Sequence, residues 1–144
     1  MTKIISERVK ELNFPLGEYV VVGGAMEAHG IRDAKDLDIV VTENLFNTLV
    51  SAGWLICECG NCIEDQANGS TKRMLKKLGV DILSEYSWKN TYRAVTKDLI
   101  ANADIIDDIP YVQLEELVKW KKACAREKDL MDVELIENYL HSKK

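Results

Sequence analysis

The chain is short of the features that mark linkers, membrane spans and basic nucleic-acid grips. It has only two prolines and no Ser/Gly-rich stretch, so nothing in it reads as an interdomain linker. Its 144 residues then predict one domain, with enough chain to bury a real core. No apolar run approaches the roughly 20 residues of a membrane span. The opening "MTKIISERVKELN" carries Glu7 and Glu11 among its apolar residues, unlike a signal peptide, so a cytoplasmic location is expected. An excess of positive charge is also missing: 19 Lys and Arg stand against 24 Asp and Glu. A domain that mainly grips nucleic acid is usually basic, and this balance weighs against that class while leaving room for a local basic patch. Histidine is scarce. His29 and His141 have no ligand partner nearby in sequence, and each reads as a surface residue, with His29 also a candidate to line a site. The cysteines Cys57, Cys59 and Cys62 form Cys-x-Cys-x-x-Cys, and Cys124 is far away. A structural zinc site needs a second ligand pair, which is absent, so free thiols are the expectation.

What is present alternates between strand and helix patterns. Residues 2–13 suit an amphipathic helix, with Pro15 and Gly17 beyond it. "EYVVVGG" reads as a buried strand closed by two glycines, and "AMEAHG" as a short helix. Residues 36–42 form a second strand. "ENLFNTLVSAG" forms a helix with Thr42 as N-cap and Gly53 as its terminator. "WLICEC" begins a third strand, "TKRMLKKLG" fits neither pattern clearly, and "VDILSE" is a fourth strand. Residues 88–100 read as weakly helical and "ADIIDDIPYV" as extended. Helical patterns follow at roughly 113–125 and 127–141. The core therefore spans about 18–85, with a helical tail over about 86–144.

Three features of that core bear on chemistry. Gly23-Gly24, between a strand and a short helix, is either an ordinary tight turn or a backbone that lets a phosphate come close. Asp36 and Asp38 share one strand face, with Cα atoms about 6.6 Å apart. In isolation they read as a cap and a surface acid; together they are a repulsive pair that a cation would relieve. Asp81 is a lone acid in an apolar strand, flanked by Val80 and Ile82 and facing opposite to them. It needs either a basic partner, such as Lys72, Arg73, Lys76 or Lys77, or a cation. Hard divalent cations take several carboxylates plus substrate phosphates, and such a set suits phosphoryl-type displacement.

The order apolar strand, Gly-Gly, eleven residues, Asp-x-Asp, apolar strand and a later strand Asp resembles the nucleotidyltransferase superfamily of DNA polymerase β type. "VVVGGAMEAHGIRDAKDLDIVVT" is similar to its small bacterial branch. The tail continues the likeness: Lys121, Arg126, Lys128, Asp129 and Asp132 match the segment K-x4-R-x-K-D-x-x-D of many small members. Asp33-Ala34 stands where such members often have Pro-Thr, so a hydroxyl contact is lost there.

The resemblance implies an α/β (α+β) fold, a mixed β-sheet with helices on one face, the carboxylates on the other and a C-terminal helical tail. It implies transfer of a nucleoside monophosphate from an NTP to an acceptor, with release of pyrophosphate. Asp36, Asp38 and Asp81 would be catalytic and bind Mg²⁺ or Mn²⁺. Gly23, Gly24, Arg32, Lys121, Arg126 and Lys128 would bind the nucleotide. Periodicity alone puts Lys121 on or beside the apolar stripe of its helix, as a snorkelling stem or as a cation facing the site. Arg32 reaches a phosphate or pairs with Asp33; Asp129 and Asp132 are expected to pair with Arg126 or Lys128 and fix the last helix. The basic run "TKRMLKK" is a solvated face or a steering patch for a triphosphate or RNA acceptor. The acceptor is a small molecule, a protein hydroxyl or an RNA end. Two rivals share these residues: a non-catalytic nucleotide- or partner-binding module, and a toxin-like enzyme acting on tRNA ends.

Overall fold

Short β-branched runs bounded by glycine and proline favour strands over helices, and the chain spends them on one mixed sheet. The computed structural model describes residues 4–34, 37–57, 73–77, 79–89 and 91–142. Its strands are β1 (Tyr19–Gly23), β2 (Leu37–Val41), β3 (Met74–Lys77), β4 (Val80–Leu83), β5 (Tyr86–Trp88), β6 (Tyr92–Ala94), β7 (Asp104–Ile106) and β8 (Ile109–Tyr111). Helices α1 (Ile4–Leu12), α2 (Ala25–Ala28), α3 (Glu43–Ser51), α4 (Thr96–Ala101), α5 (Leu114–Cys124) and α6 (Glu127–Ser142) complete the described elements. Six strands form a sheet in the order β3-β4-β2-β1-β8-β7, and β5 pairs with β6 as a separate hairpin. β2 runs parallel to β4 and β1 parallel to β8, while the other pairs in the large sheet are antiparallel. This is the mixed α/β architecture expected from the sequence.

Two local expectations need correction, and a third, the extended stretch "ADIIDDIPYV", holds in finer form. Among the described residues the third strand is Met74–Lys77; the described part of "WLICEC", residues 54–57, makes only an isolated bridge between Ile56 and Leu75. Residues 88–100 are helical only from Thr96 on: before α4 they hold the end of β5 and all of β6. Aromatic and β-branched residues in "YSWKNTYRAV" favour a hairpin over the helix that its periodicity suggested. The stretch 104–111 is itself a hairpin, turned by Asp107 and Asp108 at φ 55° and 65°. Acidic side chains tolerate this left-handed turn better than most.

The core fills both faces of the sheet. Leu37, Ile39 and Val41 are fully buried on one side of β2, and Val40 is fully buried on the other. Phe46 of α3 is fully buried. Its removal belongs to the class of core truncations that cost about 3–5 kcal/mol. Thr42 caps α3 by accepting a hydrogen bond from the Leu45 N–H at 3.2 Å, and Gly53 follows the helix at φ 102°. Leu114, Leu117 and Ile136 of the tail join the same hydrophobic cluster as the strands, so the last two helices are part of the core.

One buried acid organises the N-terminal side. Glu27 of α2 is 3% exposed; its carboxylate accepts the Ile5 N–H at 3.0 Å and the Ala34 N–H at 3.2 Å. The first bond satisfies a donor in the opening turn of α1 and sets a negative charge at the positive end of that helix. The second holds the segment that leads into β2. Glu27→Ala strips both donors of their partner and is expected to lower stability by about 2–4 kcal/mol. Urea denaturation measures this. A loss under about 1 kcal/mol would show that the carboxylate is dispensable, and Glu27→Gln, which keeps an acceptor, is expected to lose less.

Candidate functional site

The register of three neighbouring strands brings the sequence motifs together. Gly23 of β1 lies opposite Asp38 of β2, and Asp38 lies beside Asp81 of β4. Lys76 of β3 lies opposite Asp81. Directly paired residues share a sheet face, with neighbouring strands about 4.8 Å apart. Gly23, Asp38, Asp81 and Lys76 therefore form one row across the sheet, and both acids are half-buried. Asp36 lies outside the described residues. Among those that are described, no three His, Cys, Asp or Glu side chains converge closely enough to hold a metal ion. Asp38 and Asp81 are two adjacent oxygen donors at half-buried positions, the donor type that a hard divalent cation takes.

A β-bulge makes room for this row. The register shifts between Val21 and Gly23, so one extra residue, Val22, enters β1 relative to β2. The shift sets Gly23 instead of a valine opposite Asp38. A Cβ on Gly23 would collide with the Asp38 carboxylate, ending 2.8 Å from its Cγ. Glycine is thus required here for the approach of a side chain in the same row. Gly24 has a different reason. Its φ is 129°, and a Cβ there would come 2.7 Å from Cγ2 of Ile5, so it also lets α1 pack close.

The cations named from the sequence fall into two groups. Arg32 donates from Nε and Nη2 to both oxygens of Asp132, at 3.0 and 2.8 Å, and from Nη1 to the Asp33 backbone carbonyl. It therefore pairs with Asp132 of α6 and not with the Asp33 side chain. Lys121, 9% exposed, donates to the same Asp132 carboxylate at 2.9 Å, with Asp129 at 3.9 Å. So Lys121 is a buried, paired lysine and not a snorkelling stem. Arg126 binds Asp129 through Nε at 2.6 Å and Nη2 at 3.2 Å. Lys128 sits apart, exposed at the start of α6. The structural role expected for Asp129 and Asp132 is present, with Arg32 and Lys121 as the partners of Asp132.

Tyr86 connects the acid row to these cations. It is fully buried on β5, and no described group hydrogen-bonds its hydroxyl. Burial drives its pKa well above the usual tyrosine value, and Tyr92, Cys124, Asp38 and Glu116 add to the rise in that order. The hydroxyl therefore stays protonated. Its ring stacks on Trp120, the neighbour of Lys121, at 5.3 Å. Tyr92 donates to Glu116 at 2.7 Å; burial and that bond hold its pKa far up as well. Sequence reading passed over Glu27 and Tyr86. The visible signals were a lone acid in "AMEA" and a tyrosine directly after "VDILSE".

Other expectations resolve as packing. His29 is half-buried, edge-on to Tyr139 at 6.0 Å, with Nε2 3.7 Å from Asp104. His141 is exposed in the last turn of α6. Arg73 lies 4.4 Å over the Phe46 ring and Lys77 5.1 Å from Trp54, so two members of the basic run cover aromatic rings; Lys72 lies outside the described residues. Cys57 and Cys124 are half-buried, and Cys59 and Cys62 lie outside the described residues. Among the described residues no helix is long and apolar enough to cross a membrane.

Asp132 allows a sharp test. Burial raises its pKa, but the hydrogen bonds and charges of Arg32 and Lys121 outweigh this and hold it below the ordinary 3.8. Because the folded-state pKa is depressed, its contribution to stability is complete above that ordinary value. It is lost as the pH falls through the lower, folded-state pKa. Asp132→Asn is expected to flatten that acid limb in stability-versus-pH profiles. Asp132→Ala, which leaves Lys121 buried against a distant Asp129, is expected to cost about 3–5 kcal/mol. Lys121→Met is expected to cost far less in the same denaturation experiment, since Arg32 still pairs with Asp132. No family model matches the chain, and no curated protein is significantly similar to it.

Proposed function

We propose that this chain is a nucleotidyltransferase of the DNA polymerase β type, moving a nucleoside monophosphate from an NTP to an acceptor. The observation that carries the reading is the row Gly23–Asp38–Asp81, in which a bulge and a glycine make space for a carboxylate beside a second one. Two half-buried acids side by side on a sheet form the oxygen-donor set that a hard divalent cation takes. Asp38 and Asp81, with Asp36, would hold Mg²⁺ or Mn²⁺. When bound, such ions supply neutralisation of phosphate charge and activation of the acceptor nucleophile.

In this reaction a bond forms from the acceptor atom to the α-phosphorus. The bond from that phosphorus to its bridging oxygen breaks, pyrophosphate leaves with the electron pair, and the acceptor's proton passes to solvent. Asp81 stands on the acceptor side. The backbone at Gly23 and Gly24 holds the β- and γ-phosphates. Arg32 and Lys121 together carry one more positive charge than the Asp132 they share. Arg126 uses Nε and Nη2 on Asp129, and its Nη1 has no described partner. Lys128, though exposed, adds charge at the rim. The chemistry is one of positioning and charge neutralisation. The acceptor is a small molecule, a protein hydroxyl or an RNA end.

Isothermal titration with MgATP and the other NTPs, coupled to pyrophosphate release, tests the reading. Mg²⁺-dependent binding is expected, weakened at least tenfold by Asp38→Ala, Asp81→Ala and Gly23→Ala. The last of these pushes the Asp38 carboxylate aside without removing it. Absence of NTP binding, or binding indifferent to all three substitutions, would falsify the proposal.

A further inference from the structure

The hairpin β5–β6 and helix α5 build an aromatic row. Tyr86 and Trp88, two residues apart, share one face of β5, and Tyr92 lies opposite Trp88 on that face. Trp120 of α5 packs across them, stacked on Tyr86 at 5.3 Å and edge-on to Trp88 at 6.5 Å. Its Nε1–H donates to the Ser87 carbonyl at 3.4 Å, which fixes the ring. The row runs from core to surface, since Tyr86 is fully buried while Trp88 and Trp120 are half-buried.

The outer end is rich in cations. Lys89 lies 5.4 Å from the Trp88 ring, Arg126 lies 5.8 Å from Trp88 and 6.0 Å from Trp120, and Lys121 lies 5.9 Å from Trp120. Arg126 and Lys121 are held in place by Asp129 and Asp132. Lys89 is exposed at the hairpin turn with φ 48°, on a flexible stem that can yield the ring face. A partly open indole flanked by fixed and mobile cations has the composition of a single-stranded nucleotide site, where a ring stacks on a base and cations meet its phosphates.

We propose that Trp88, with Lys89 and Arg126 at its edges, is the stacking platform for a nucleobase, either that of the NTP or that of an RNA end. The inference rests on the nucleotidyltransferase reading, because it treats the nearby acids and cations as the phosphate site. Trp88 lies about 6.6 Å farther along β5 than Tyr86, whose hydroxyl feels the Asp38 carboxylate. The platform is thus carried on the same strand as Tyr86, one residue pair farther along it.

The test uses the full chain with Trp54→Phe, which leaves Trp88 and Trp120 as the only indole reporters. Fluorescence titrations are run with MgATP and with a short RNA bearing a free 3′ hydroxyl. Magnesium tripolyphosphate, which has no base, is followed by calorimetry. The expected result is quenching by a base-bearing ligand, with affinity about 5- to 100-fold weaker after Trp88→Ala and largely restored by Trp88→Phe. Tripolyphosphate affinity is expected to stay within about twofold in every variant, on the same stacking argument. Trp88-dependent binding of MgATP assigns the platform to the donor nucleotide, and of RNA alone to the acceptor. Unchanged affinity for both ligands after Trp88→Ala, or a parallel loss of tripolyphosphate binding, overturns the platform. If the Trp54→Phe protein binds tripolyphosphate no more weakly than either base-bearing ligand, the platform falls and the phosphate site stands. If it binds none of the three, both readings fall.

Discussion

The register of β2 between β1 and β4 is the constraint on which the candidate site depends. Leu37, Ile39 and Val41 are fully buried, so β2 has one strongly preferred orientation. A slip of one residue would turn those side chains to the other face and bring Asp38 into their place. Parallel pairing with β4 then carries Asp81 alongside Asp38. The bulge in β1 finishes the arrangement, because without it Val22 would stand where Gly23 stands. Hydrophobic burial thus holds two like charges side by side, at positions they would not choose by electrostatics alone.

A second set of buried charges joins the tail to that sheet. Asp132 on α6 takes Arg32 from the segment before β2 and Lys121 from α5. Glu27 holds the same segment at Ala34 from the opposite direction. Arg32 and Ala34, ahead of the acid strand, are therefore each held by a carboxylate. Buried ion pairs of this kind contribute little net stability compared with apolar packing, yet removing one partner is costly. Their use here fits positioning: they tie α5, α6 and the Arg32 segment together within a structure that the apolar core already stabilises.

The aromatic row adds a third layer. Tyr86 is at once a core residue, a stacking partner for Trp120 and a hydroxyl in the field of Asp38. Because burial raises its pKa, the hydroxyl stays protonated. Trp88 and Trp120 extend the same surface outward to Lys89 and Arg126. Charge network and aromatic row therefore meet at Trp120, beside Lys121 and Arg126, though their residues come from distant parts of the chain.

Much of this was legible in the sequence, and the rest was not for definite physical reasons. The strands "YVVVG" and "LDIVV", the Thr42 cap and both tail helices follow from local pattern, since burial of a β-branched run or an apolar stripe is written in consecutive residues. The Gly-Gly turn and the spaced acids were likewise visible as motifs. What only the tertiary structure decided was pairing. Lys121 and Arg32 lie 89 positions apart in the sequence, and nothing local says that they share the Asp132 carboxylate. The hairpin β5–β6 was misjudged because short aromatic segments satisfy helix and strand periodicities alike, and packing against α5 decides between them. The bulge that gives Gly23 its place opposite Asp38 is a property of two strands in register, so a single strand's sequence cannot specify it.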